Sequence, residues 1–196
     1  MKTEKNESFM QLPAFRIATL AILIAVTALF TYVIRIPIAP TRGYINFGDV
    51  AIFFTAIIFG PITALITGGV GTALADLLAG YAQWAPFTFL AHGLQGLAIG
   101  LVINAGRRFQ RPSMQSNTSN SVPRKPGIVS LLLAFVLGTL VMGGIYFLTG
   151  GLMVGFAAAT TEIPGNILQN VAGILVGTPL AMAVWKAYPP IRYYTW

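Results

Sequence analysis

Long apolar stretches separated by short polar breaks dominate the chain. The first runs from Ala14 to Ile34 and, at about 1.5 Å of rise per residue, covers the roughly 30 Å hydrocarbon core of a bilayer. Four more stretches near spanning length occupy 61–79, 87–105, 128–148 and 163–187. Between the first two of these five lies a shorter element, 49–59, bounded by Asp49 and by the breaker Gly60-Pro61. Its apolar part would reach only about 15 Å as a helix and cannot cross a bilayer alone. It forms either a short, partly buried span or a re-entrant hairpin with the segment after Pro61, since irregular backbone at that depth persists only beside protein or a water-filled cavity. The pattern predicts an all-α integral membrane protein, one membrane domain over 1–196 with six transmembrane helices, the second of them short.

Near the start, Lys2 and Lys5 precede an apolar core and Val26-Thr27-Ala28 could pass for a cleavage site. The run continues six residues past Ala28, which favours a retained helix. Composition agrees with the membrane reading: 56% of the 196 residues are hydrophobic and 9% charged, against roughly 25% charged in a soluble domain. With no cysteine, disulfide frames and thiolate metal sites are excluded. The net charge of +7 forms no basic face with interleaved aromatics, so nucleic acid is not an expected partner. Topology accounts for the cations instead. With the N-terminus inside, Lys2, Lys5, Arg16, Arg107, Arg108, Arg111, Arg124, Lys125, Lys186 and Arg192 are cytoplasmic, and only Arg35 and Arg42 lie outside. Both termini are then cytoplasmic, and the Ser/Asn/Pro-rich stretch 107–127 is a flexible cytoplasmic linker.

Ionisable groups inside hydrocarbon cost at least about 2.5 kcal/mol each at mid-bilayer, so their positions carry information. Asp49 opens the short element, and Asp76 stands near the outer end of the next helix with no basic residue nearby in sequence. Gln83 and Trp84 lie in the loop that follows, His92 and Gln95 come a turn or two into the next helix, and Glu162, Asn166, Gln169 and Asn170 open the last. All fall in the outer half. Glu162, Asn166 and Asn170 recur every four residues on one helical face, which Gly173 and Gly177 continue. Each has a plainer reading: Asp49 and Asn46 as a helix cap, Glu162 as a solvated helix start, His92 as a structural hydrogen bond, Tyr81 and Trp84 as interfacial aromatics. Convergence from several elements favours a binding site.

Small residues form a second pattern. Ala14, Ala18, Ala21, Ala25 and Ala28 draw one stripe along the first helix, suited to packing within the chain or to docking another membrane protein. Gly96/Gly100 and Gly173/Gly177 read as internal packing, and "TGGVG" at 67–71 admits a close neighbour or ligand.

Phosphate-loop, HExxH and GxSxG motifs are absent, and one histidine makes neither a Ser/His dyad nor a multi-histidine metal site. Neither an enzyme nor a cofactor is expected. Two alternatives to a binding protein stay open: an intramembrane aspartyl protease built on Asp49 and Asp76, and an ion-coupled carrier using Asp49, Asp76 or Glu162.

Residues 43–100, "GYINFGDVAIFFTAIIFGPITALITGGVGTALADLLAGYAQWAPFTFLAHGLQGLAIG", resemble the substrate-binding S components of energy-coupling factor (ECF) vitamin transporters, in particular the riboflavin-type family. The resemblance is carried by the Gly-Tyr-Ile-Asn-Phe-Gly-Asp entry, the Phe-Gly-Pro turn, Ala-Asp-Leu-Leu and Gln-Trp-Ala-Pro-Phe in that order. It implies a six-helix protein of the bacterial plasma membrane that captures a vitamin or vitamin precursor outside the cell for ATP-driven uptake, the ligand being a flat heterocycle such as riboflavin, pyridoxine or hydroxymethylpyrimidine. Residues 41–49 would be the lid and rim of its cavity. The expected ligand set is Tyr44, Asn46, Asp49, Asp76, Trp84, His92, Gln95, Glu162, Asn166 and Asn170. The alanine stripe, as Ala14/Ala18 or Ala21/Ala25, would dock a transmembrane coupling subunit, with two cytosolic ATPases supplying energy.

Overall fold

The computed structural model describes residues 12–109, 125–189 and 191. Lys2, Lys5, Arg111, Arg124, Arg192 and most of the 107–127 linker lie outside the described residues. Among the described residues there are six helical elements: α1 Pro13–Val33, α2 Gly48–Phe59, α3 Pro61–Ala79, α4 Ala85–Phe109, α5 Ile128–Val154 and α6 Phe156–Ala187. All but α2 are long and apolar enough to cross a bilayer. Between α1 and α2 the chain makes a small antiparallel hairpin, β1 Ile36–Ile38 against β2 Gly43–Ile45, with Pro37 opposite Tyr44. No strand was expected there. Its connecting turn places Arg42 in the left-handed region, at φ 54°.

The usual inside-out rule is inverted, as lipid requires. Isoleucines and leucines along α1 and α5, such as Ile17, Ile22, Leu132, Leu133 and Leu140, are exposed, while Asp49, His92, Gln95 and Asn170 are fully buried. The buried threonines of α1 satisfy themselves by donating to the carbonyl four residues back, Thr27 to Leu23 at 2.9 Å and Thr31 to Thr27 at 2.8 Å. These two and Leu23 form the inward face of α1, which leaves Ala14, Ala18, Ala21 and Ala25 exposed on the outward one.

The short α2 is the core of the bundle. Eleven of its twelve residues are buried, among them Ile52, Phe53, Ala56 and Ile57. Its start meets the polar residues of α4 and α6, and at its other end Arg107 Nη2 donates to the Ile57 carbonyl oxygen at 2.8 Å, with the guanidinium over the Trp185 ring. A helix of twelve residues is tolerated because neighbours, not lipid, surround it, and because the hairpin fills the space above its start. Gly60, at φ 88°, then turns the chain so that Pro61 opens α3.

Glycines set the closest approaches. A Cβ on Gly96 would meet the Ala64 oxygen at 2.6 Å, and one on Gly177 the Val50 oxygen at 2.5 Å, so both GxxxG pairs serve internal packing. In the 67–71 run the neighbour is protein: a Cβ on Gly68 would reach the His92 oxygen at 2.7 Å, and one on Gly71 the Thr27 Cβ at 2.7 Å. Helix α6 is not uniform. It opens with a turn over Phe156–Ala159 and a 3-10 turn over Thr160–Glu162, and carries a π segment at Gly173–Gly177. Pro179, which lacks a backbone donor, begins the next stretch and leaves room for that wider turn.

A cavity beneath the hairpin

Polar residues from five elements meet under the hairpin. The space they enclose is about 420 Å³, its open mouth included, and Tyr44, Asn46, Asp76, Trp84, Glu162 and Asn166 all line it. Ile38, Gly43, Thr88, Tyr146 and Gln169 complete the wall.

Local structure explains how each arrives. Helix α3 ends at Gly80 in the left-handed conformation, with Tyr81 N donating to the Asp76 oxygen at 2.8 Å and Gly80 N to the Leu77 oxygen at 3.4 Å. Asp76 therefore sits in the last turn, where the helix dipole disfavours an anion. Its Oδ1 accepts a hydrogen bond from the Tyr44 hydroxyl at 2.5 Å, while its Oδ2 is buried with no partner. Burial first, then the charge of Asp76, hold the Tyr44 hydroxyl well above the usual phenol range, so it stays a donor. Behind Tyr44, its ring leans on Tyr81 at 4.9 Å, and Arg35 lies over Tyr32 at 4.4 Å and beside Tyr44 at 6.0 Å.

The hairpin is seated on α6. Gly43 and Gly165 mark close approaches: a Cβ on the first would meet Glu162 Oε1 at 2.5 Å, and one on the second the Ile45 Cγ1 at 2.7 Å. Gln169 Oε1 accepts the Asn46 backbone N–H at 2.7 Å, and Asn46 Oδ1 accepts the Gly48 N–H at 2.8 Å. Asn46 is thus the residue that bonds the start of α2, whereas the Asp49 carboxylate points into side-chain hydrogen bonds. Opposite the acids, Trp84 is buried against Tyr146, with centroids 6.3 Å apart in an edge arrangement, and Tyr146 donates to Thr88 Oγ1 at 3.0 Å. Trp84 is a wall of the cavity and not an interfacial aromatic.

Asp49, His92, Gln95 and Asn170 come together one layer lower. Gln95 Nε2 donates to Asp49 Oδ1 at 2.7 Å and to Asn170 Oδ1 at 2.8 Å, and His92 Nδ1 lies 2.9 Å from Gln95 Oε1 and 3.4 Å from Asp49 Oδ1. Asp49 and Asp76 thus belong to separate sets of hydrogen bonds. Of the wall residues, Thr88 and Tyr146 were not singled out from the sequence. Thr88 precedes His92 by four and shares its helical face, a signal that was present. Tyr146 is one hydroxyl within a long apolar run and gave none. Gly43 falls within the expected rim 41–49, while Ile38 depends on the unforeseen hairpin.

Among the described residues no group of three or more metal-ligating side chains exists. The lining carries two carboxylates and three amides and no Lys, Arg or His. Such a wall can accept hydrogen bonds from a ligand, offer amide donors, and stack on an aromatic ring.

Comparison with known proteins adds identity to this geometry. A family described as "ECF-type riboflavin transporter, S component" matches residues 12–186. The thiamine precursor transporter HmpT of Lactococcus lactis subsp. cremoris is 31% identical over 182 residues, 92% of this chain and 91% of that protein. An uncharacterised protein of Pyrococcus woesei is 34% identical over 161 residues, 82% of this chain and 95% of its own. A UPF0397 protein of Streptococcus pneumoniae is 33% identical over 128 residues, 65% of this chain and 63% of its own. The chain belongs to the S components of ECF-type transporters, in the riboflavin-transporter family: a multi-pass cell-membrane protein that binds a vitamin or vitamin precursor and is not an enzyme.

Proposed function

We propose that this S component captures a small, neutral or weakly basic aromatic heterocycle of the aminopyrimidine class, represented by the thiamine precursor hydroxymethylpyrimidine, in the cavity beneath the hairpin. The observation that carries this reading is the convergence of Asp76 and Glu162 on a cavity whose wall holds no cation. Two carboxylates there favour a ligand rich in N–H donors and repel a phosphate or carboxylate. An aminopyrimidine offers an exocyclic amino group to the acids and ring nitrogens to amide donors. The amide oxygens of Asn46 and Gln169 accept backbone N–H groups, and Gln169 Nε2 also reaches Asn166 Oδ1 at 3.4 Å, so these amides offer a ligand Asn46 Nδ2 and the second hydrogen of Gln169 Nε2. Trp84, Tyr146 and Tyr44 supply ring faces and edges. The likeness to a protein named as a thiamine precursor transporter supports the same class.

The hairpin end then faces the exterior. Arg35 and Arg42 lie at that end, while Arg16, Arg107, Arg108, Lys125 and Lys186 lie at the other, which becomes cytoplasmic by the positive-inside rule and brings both termini with it. The exposed Ala14, Ala18, Ala21 and Ala25 form a smooth face for the membrane coupling subunit, and two cytosolic ATPases drive uptake through it.

The test is calorimetric titration of detergent-solubilised protein with hydroxymethylpyrimidine, its phosphate ester, pyridoxine and riboflavin. Tightest binding of the free pyrimidine, with the phosphate ester rejected, is expected. Preference for riboflavin, or indifference to the phosphate, would overturn the assignment.

A further inference from the structure

The layer beneath the cavity lies outside its lining, yet its hydrogen bonds fix the amide orientations and the proton on His92 Nδ1. The Asn166 carbonyl oxygen can only accept, and Asn170 Nδ2 lies 3.0 Å from it and 3.6 Å from the acceptor Met142 Sδ. Asn170 Oδ1 is then left to accept, and the group facing it, Gln95 Nε2, must donate. Gln95 therefore turns its Oε1 toward His92 Nδ1, which must carry hydrogen. Asp49 Oδ1, a second acceptor near that nitrogen, also takes Gln95 Nε2 and reinforces the same polarity. On its other side the His92 ring meets Tyr146 edge to face, with centroids 5.7 Å apart. Asn166 and Tyr146 are both walls of the cavity, on α6 and α5, the first reached by these hydrogen bonds and the second by the His92 ring.

We propose that Asp49, His92, Gln95 and Asn170 are positioning residues for the ligand: without touching it, they hold Asn166 by its backbone carbonyl through a chain of hydrogen bonds that requires a proton on His92 Nδ1, and hold Tyr146 by the His92 ring that this chain orients. The inference rests on the cavity being the ligand site. All four residues are fully buried, so a broken link is not repaired by bulk water.

Two variants separate positioning from mere folding. His92→Asn keeps an N–H near the place of Nδ1–H, whereas His92→Leu leaves Gln95 Oε1 facing hydrocarbon. In calorimetry with hydroxymethylpyrimidine, His92→Leu is expected to bind at least about 10-fold more weakly than wild type, and His92→Asn within about 3-fold of it. A purely structural role would lower the unfolding temperature of both variants and leave the affinity of folded protein unchanged, which would overturn the proposal. If His92→Leu does not fold, Asn170→Asp takes its place. It sets an acceptor against the Asn166 carbonyl, and unchanged affinity there counts equally against the idea. The chain contains one histidine. Protein labelled with ¹⁵N-histidine and purified without a histidine tag therefore shows one imidazole by NMR, and hydrogen on Nδ1 is expected. Hydrogen on Nε2 alone overturns the proposal with or without ligand. Failure of wild type to bind the pyrimidine while Nδ1 is protonated would instead count against the ligand assignment.

Discussion

Replacing Asp76 by Asn isolates the charge that the ligand reading depends on. The substitution is nearly isosteric, and an Asn oxygen can still accept the Tyr44 hydroxyl, so the link between the hairpin and α3 survives. What disappears is the negative charge on a carboxylate only 2% exposed, on a residue that lines the cavity. A hydrogen bond to a charged group contributes about 1.5–3 kcal/mol, which corresponds to roughly 10- to 150-fold in affinity. Titration calorimetry with hydroxymethylpyrimidine should show a loss in that range, with the unfolding temperature of the ligand-free protein little changed. Asp76→Ala should bind no better and should also unfold earlier, because the half-buried Tyr44 hydroxyl loses its acceptor, at a cost of about 1 kcal/mol. Binding by Asp76→Asn within about 3-fold of wild type would refute a charge-assisted contact at this position.

Other consequences follow from the packing and the electrostatics. Gly71→Ala places a methyl group 2.7 Å from Thr27 Cβ and 2.9 Å from the Ile24 oxygen, so thermal unfolding in detergent should show a loss of about 1–3 kcal/mol as α1 is pushed off α3. Ala21→Leu and Ala25→Leu alter an exposed face; stability should stay within about 0.5 kcal/mol and ligand affinity should not change, while uptake by vesicles holding the complete transporter should fail. The Tyr44 hydroxyl has a raised pKa in the folded protein. Its contribution to stability is therefore complete below the ordinary phenol value of about 10 and declines only above it. Absorbance titration up to about pH 10 should give the same tyrosinate signal for wild type and Tyr44→Phe, since Tyr44 does not ionise in that range.

The membrane fold is legible because lipid demands long apolar runs, and the chain marks their ends with proline, glycine and charge. Residues 61–79 read as a helix and are one, opened by Pro61 and closed by Gly80. The fifth helix runs on to Val154, beyond the expected 148, because the buried Gly150 and Gly151 that interrupt its hydropathy are packing sites against Ala159 and Phe156. The hairpin was not legible. Three-residue strands carry too little periodicity, and what forms them is the tertiary seat on Gly165 and Gln169. Hydropathy likewise placed the polar residues at one end of the bundle without resolving depth. Asp49, His92, Gln95 and Asn170 fall a layer below Asp76, Glu162 and Asn166, and the order of layers depends on side-chain bonds between helices distant in sequence.

The central claim is that side chains from the hairpin, α3, α4, α5 and α6 share one ligand. An experimental structure of the protein with hydroxymethylpyrimidine bound tests it most directly. The ring should lie under the hairpin beside Trp84 and Tyr146, with its amino group on Asp76 or Glu162. A ring found between α1 and α5, or anywhere that leaves those two carboxylates free, would contradict the account.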